Sequence, residues 1–198
     1  KITSHASVVA ETVQKILDVT ITWKIDASGK IDADIEATKD GEFPELPRFG
    51  VRMFLDKKLS AVRYFGMGPQ ESYCDKHQAA SHGLYHANVD DLHEDYIRTQ
   101  ENGSHYDCEY VELNNSRYGI VASAEKAFSF NASYYTQEEL EKKTHNYELI
   151  ESDSVVFCVD YALNGIGSNS CGPVVLEQYR FDDVLFRFQF TLIPYVKG

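Results

Sequence analysis

The chain has 198 residues, of which 43% are hydrophobic and 13% aromatic, and it carries a formal net charge of -12. That length supports one large core or two small ones. The acidity, with no Lys/Arg cluster anywhere, excludes nucleic acid and an anionic membrane surface as partners, and no apolar run approaches the ~18 residues a bilayer-spanning helix needs.

The predicted elements are dominated by period-two alternation. Val19, Ile21, Trp23 and Ile25 alternate with polar residues, the turn Ser28-Gly29-Lys30 follows, and Ile31, Ala33, Ile35 and Ala37 alternate again. Two such runs around a short glycine turn make a β-hairpin with one wet face. Trp23, the only tryptophan, falls on the apolar side and reads as core. Val51, Met53 and Leu55 give another strand, and Tyr106 to Leu113 one more, entered from the Asn102-Gly103 turn. Asp90–Asp95 reads as a helical turn at most. Phe128, Phe130, Ala132 and Tyr134 form one face of a further strand. Thr136 followed by Glu139 has the spacing of a capping box, so a short, mostly exposed helix is expected over Gln137–Lys143. Val155, Phe157, Val159, Tyr161 and Leu163 line one face of the next strand, and Val184, Phe186, Phe188, Phe190 and Leu192 one face of the last. A one-residue slip would turn each set to solvent, so register is well specified. No Pro/Ser/Gly-rich linker divides residues 1–198 and no fixed-period repeat occurs. A single all-β domain of two packed antiparallel sheets is expected, with one or two short helices.

Between the last two strands lies Gly165-Ile166-Gly167-Ser168-Asn169-Ser170-Cys171-Gly172-Pro173. Such a segment cannot pack a core or continue a strand, and glycine lets another molecule approach closely. It is either a surface connection or a binding loop on a regular scaffold.

The remaining candidates for chemistry are weaker. Glu71 and Asp75 flank Tyr73 just after Gly66-Met-Gly-Pro69 and are the most interesting of 31 acidic residues, although hydrogen bonding in a tight turn is the usual job of such residues. His82 and His86 would share a metal only on a helix, and Gly83 argues against one. The other histidines read as structural, and no metal site is expected. Cys74, Cys108, Cys158 and Cys171 are widely spaced with no CxxC pair, which points to free thiols in a reducing, cytoplasmic setting, with Cys158 a small buried hydrophobe. The triplets Asn102-Gly-Ser and Asn131-Ala-Ser match glycosylation acceptors, as many sequences do by chance. The chain opens on Lys1 and shows no signal peptide, as expected of a processed start or of a piece of a longer protein. A neutral ligand such as a sugar suits the charge better than a polyanion.

Three segments in order, Leu46-Pro-Arg-Phe-Gly50, Gly66-Met-Gly-Pro-Gln-Glu-Ser-Tyr73 with Asp75 and Lys76, and Gln100-Glu-Asn-Gly103, closed by the Gly165–Pro173 loop, resemble the C-terminal β-domain of the large β-galactosidases of glycoside hydrolase family 2. The same domain forms the small subunit of the two-chain enzymes. The resemblance runs from about Leu46 to the end and is weaker before it. It implies a large antiparallel supersandwich, similar in fold to galactose mutarotase. It implies a parent enzyme that hydrolyses terminal β-D-galactosides such as lactose, with its catalytic glutamates in a separate (β/α)-barrel. That barrel would be supplied by remaining domains or by a large subunit. It occupies about 250 residues by itself, so no catalytic residue is expected in this chain. The family commonly uses Mg and Na in the barrel domain, and no cofactor is expected here. The glycine loop would reach the barrel mouth, where some members place a Trp against the second sugar. Cys171 stands at that place and the loop is one residue shorter, so Asn169, Ser170 and Cys171 are the expected substrate-binding residues, making shallow contact with the β-galactoside. Glu71, Tyr73 and Glu101 read mainly as turn residues that fix the fold. Two other readings stay open: a free carbohydrate-binding module, which needs an exposed aromatic platform, and a stand-alone mutarotase-like epimerase, which needs a His acid and a carboxylate base in one cleft.

Overall fold

The computed structural model describes residues 1–9, 14–166 and 174–197. Its regular structure consists of β1 (Ile2–Val9), β2 (Lys15–Ile25), β3 (Ile31–Lys39), β4 (Arg48–Asp56), β5 (Ala61–Gly68), β6 (Ser81–Asn88), β7 (Ser104–Asn114), β8 (Tyr118–Ser133), α1 (Gln137–Lys142), β9 (Ser154–Leu163) and β10 (Leu185–Val196). Short 3-10 turns sit at Val89–Leu92, Asn146–Glu148 and Glu177–Tyr179. The pairings between these strands are antiparallel, in the order β1-β2-β3-β10-β8-β7-β5-β6, with β9 and then β4 branching from β8.

The branch makes the sandwich. β8 is 16 residues long and too long for one neighbour. Its first part, Tyr118–Ser123, pairs with β10, and its last part, Ser129–Ser133, pairs with β9, while β7 follows its other side. The sheet therefore forks into two wings that fold face to face. Phe49 of β4 meets Phe186 of β10 edge-on at 4.8 Å between ring centroids, and Tyr161 of β9 stacks on the same Phe186 at 5.0 Å. Alternation on β10 turns Phe186, Phe188, Phe190 and Leu192 inward, and the register with β3 sets them against Ala37, Ile35, Ala33 and Ile31. Each such side chain stabilises the fold by roughly 1.5–3 kcal/mol on burial. The all-β antiparallel architecture expected from the sequence is the one observed.

The details differ in places. β9 is buried on both faces from Val155 to Asp160. The face opposite the core is covered near α1, where Gln137 reaches the Cys158 sulfur at 3.7 Å. β1, β5 and β6 are not among the strands expected from the sequence: β1 is exposed on both faces, and β5 and β6 alternate in burial but not in apolar side chains, since two of the buried β5 positions are glycines. Gly66 lies against Cys108 so closely that a Cβ would overlap it, so close approach of two backbones, and no turn, explains this glycine. Trp23 is half-buried, edge-on to Phe190 at 6.2 Å. Thr136 does cap α1, accepting the Glu139 N–H at 3.1 Å, but the Glu139 carboxylate takes the Ile150 N–H at 3.0 Å and leaves the box half closed.

Phe130 is fully buried between Tyr64, at 5.0 Å, and His105, at 5.1 Å. Phe130→Ala should lower the unfolding free energy in urea by about 3–5 kcal/mol, and a loss below about 1 kcal/mol would contradict its place at the centre of the core.

Candidate functional site

The turn after β5 organises one end of the sandwich. The Tyr73 N–H donates to the Lys76 carbonyl at 2.8 Å and the Lys76 N–H back to Tyr73 at 3.0 Å, which closes a tight reversal. Ser72 anchors it from below: its N–H donates to the Ser104 carbonyl at 2.7 Å, and its hydroxyl accepts the Tyr106 N–H at 2.9 Å. The Glu71 carboxylate is buried and fully engaged. One oxygen accepts the Gly103 N–H at 2.8 Å, and the other accepts the Lys76 ammonium and the Tyr96 hydroxyl. Gly103 has φ +72°, and a Cβ there would run into the Leu92 carbonyl, so the Glu-Asn-Gly segment needs its glycine.

The segment around Arg48 joins the same cluster. The Arg48 guanidinium holds Asp160 of β9 through two bonds of 2.9 and 2.7 Å and Glu101 through one of 3.2 Å. Gly50 makes room for this, since a Cβ on it would overlap the Asp160 carboxylate. The buried Asn102 accepts the Glu94 N–H at 3.0 Å through its side chain, and its carbonyl accepts the Asn131 amide at 2.5 Å. Both asparagines of the glycosylation-like triplets are thus buried and occupied by structural bonds.

The stems of the glycine loop are tied to the same turn. The Asn164 N–H donates to the Pro47 carbonyl at 2.9 Å, and its side chain accepts the Phe181 N–H at 3.2 Å. The Ile166 N–H donates to Asp75 at 3.2 Å, and a Cβ on Gly165 would lie 2.5 Å from that carboxyl carbon. The Cys74 thiol lies 3.6 Å from the carbonyls of Leu163 and Tyr179. Asn169, Ser170 and Cys171 lie outside the described residues. What the structure brings together is the three sequence segments and both ends of the loop that carries those residues.

The electrostatics favour fixed acceptors over reacting acids and bases. Burial pushes the Glu101 and Asp160 carboxyls up, against the pull of Arg48. Burial works against the charge on Arg48 as well, but the hydrogen bonds and charge of Asp160 outweigh it and keep the guanidinium protonated. Burial and the neighbouring Asp75 push the Cys74 thiol up to about 11, and burial pushes Cys158 up to about 12, so neither is a ready thiolate. Burial holds His105 down to about 4, a neutral ring against the Met67 carbonyl. His82 and His86 sit on β6, a strand, where four residues span roughly 13 Å, too far to share a metal.

Glu71, Tyr73 and Glu101 are the turn-fixing residues the sequence suggested. Asp160 and its pairing with Arg48 were not visible in it, because Asp160 falls between Val159 and Tyr161, the apolar positions expected to form the buried face. The available signal was one charge inside Val155-Val-Phe-Cys-Val-Asp160, a run otherwise wholly apolar.

A family model described as the β-galactosidase small chain matches residues 1–192. A β-galactosidase of Actinobacillus pleuropneumoniae is 50% identical over 179 residues, covering 90% of this chain and 17% of that protein. A β-galactosidase of Staphylococcus xylosus is 36% identical over 188 residues, covering 95% and 19%. One from Kluyveromyces lactis is 30% identical over 168 residues, covering 83% and 16%. The chain thus spans less than a fifth of the length of these curated relatives.

Removing Arg48 would strand a buried carboxylate. Arg48→Ala should cost about 3–5 kcal/mol in chemical denaturation, while Arg48→Lys, which keeps the charge and loses the two-pronged geometry, should cost less without being neutral. Wild-type stability in both variants would show that the cluster does not depend on this pair.

Proposed function

The chain belongs to the β-galactosidase small-chain family, and on that premise we propose that it is the domain of a β-galactosidase that walls the sugar site without supplying the reacting carboxylates. The parent enzyme hydrolyses terminal β-D-galactosides such as lactose, with its acid/base and nucleophile glutamates in a separate barrel domain or large subunit. Magnesium and sodium belong to that barrel. The partners of this chain are the β-galactoside and the rest of the enzyme, and the free thiols Cys74, Cys108 and Cys158 suit a reducing, cytoplasmic setting.

One observation carries this reading. Three sequence segments far apart in the chain converge on a single turn through Glu71 and Arg48, and the stems of the Gly165–Pro173 loop join it through Asp75 on one side and through the Cys74–Tyr179 and Asn164–Phe181 contacts on the other. That much buried hydrogen bonding at one end of a sandwich is a means of holding a loop in place. Glu71, Glu101 and Asp160 are each occupied by a cation or an N–H, which supports a structural role for them and leaves the chemistry to another domain.

Within the loop, Cys171 stands where some family members place an aromatic platform. Contact by Asn169, Ser170 and Cys171 is shallow, and affinity for the aglycone or second sugar is correspondingly weak. Cys171→Trp in the full enzyme should tighten acceptor binding and raise transglycosylation by roughly two- to tenfold, the worth of one aromatic contact. Unchanged acceptor kinetics would count against the loop's role.

The broader reading is tested on a chromogenic galactoside. This chain alone should be silent, and mixing it with the rest of the parent enzyme should restore hydrolysis. Turnover by this chain alone would mean that its own carboxylates react, and would overturn the assignment.

A further inference from the structure

At the fork of the sheet, β8 crosses between the wings with part of its backbone unpaired on that side. Its pairing with β10 ends at Ser123 and its pairing with β9 begins at Ser129. Opposite this gap, the register of β7 on β8 skips between His105 and Cys108, and Asp107 adopts φ +56°. A cleft of about 340 Å³ opens there, lined by Phe128 and Ala162 and, from the turn before β10, by Gln178 and Tyr179.

The polar groups that line it are unusually free. The Asp107 carboxylate, the Lys126 ammonium and the hydroxyls of Tyr106 and Tyr179 make no hydrogen bond among the described residues. Tyr73 and Tyr161 line it as well; the Tyr161 hydroxyl lies 3.4 Å from Asp183, while its ring packs on Phe186, Phe181 and Phe188. Burial raises the Tyr106 phenol, and the nearby Asp107, Cys74 and Tyr179 raise it further, which places these groups within electrostatic reach of one another.

We propose that this cleft binds a neutral pyranose ring. Asp107 and Asp183 are balanced by Lys126 and Arg180, so an ionic ligand gains no net attraction. A sugar uses the polar groups present: carboxylates accept from its hydroxyls, phenols accept or donate, the ammonium donates, and the half-exposed Tyr179 ring, stacked on no other ring among the described residues, can lie against its C–H face. The volume lies at the small end of the roughly 300–1,000 Å³ typical of ligand sites, which suits one ring in preference to a chain of them. Binding here needs no hydrolysis, so it stands or falls separately from the β-galactosidase reading.

The test is a titration of the full chain with D-galactose and D-glucose, read by amide chemical shifts, with the open-chain polyol sorbitol as control. At least one pyranose should give saturable shifts confined to residues 106–107, 126–129 and 178–183, and sorbitol should give none. Asp107→Asn keeps a residue that tolerates the left-handed backbone and removes only the charge, and it should weaken binding by about tenfold. Lys126→Ala, at an exposed position, should weaken binding with an unchanged melting temperature. The absence of saturable shifts with either sugar, equal shifts with sorbitol, or wild-type affinity in both variants would overturn the proposal.

Discussion

Asp160 sits inside β9 with its side chain almost wholly removed from water, and Arg48 is what makes that tolerable. The rest of the site hangs from this pair in sequence. Arg48 also takes Glu101, which fixes the segment leading to Gly103. The Gly103 N–H donates to Glu71, Glu71 collects Lys76 and Tyr96, and the turn that carries Lys76 also carries Asp75, which holds the glycine loop at Ile166. A buried charge on one wing of the sandwich is thereby linked, contact by contact, to the point where a loop leaves the fold.

Such a network is not where the stability comes from. Two buried charges lose their hydration, and replacing a pair like this with apolar side chains of the same volume is often neutral or better. The aromatic layer between the wings, built on Phe49, Tyr161, Phe186 and Phe188, provides the driving force. The ion pair instead distinguishes one arrangement of the chain from others of similar burial. Gly50 and Gly103 serve the same arrangement: a Cβ on Gly50 would collide with the Asp160 carboxylate, and one on Gly103, whose N–H donates to Glu71, would collide with the Leu92 carbonyl.

The strands that were legible are those with apolar side chains at every second position, β9 included although it is buried on both faces. β2, β3 and β10 alternate because one side meets the core and the other meets water. β1 is exposed on both faces, so no alternation is written into it. β5 is not among the strands expected from the sequence, where Gly66 and Gly68 interrupt its apolar positions; both glycines are there for close packing, against Cys108 and Tyr64. The site was legible as segments and not as contacts. Pairings such as Arg48 with Asp160, 112 residues apart, arise only from the register of β4 on β9, which periodicity cannot specify between strands so distant in the chain.

The exposed apolar residues carry the argument one step further. Ile97 is 97% exposed immediately after Tyr96, and Val174 and Leu176 are exposed just beyond the loop. These residues flank the Glu71–Tyr96 contact and the second loop stem, the same features that the hydrogen-bond network holds in place. Scattered exposed apolar residues are ordinary on any surface, but apolar side chains placed beside the hydrogen-bonded stems of a loop are what a domain needs if its neighbours close over that end. A chain that spans less than a fifth of its relatives supports the proposed division of labour, in which rigidity is supplied here and reacting groups come from elsewhere.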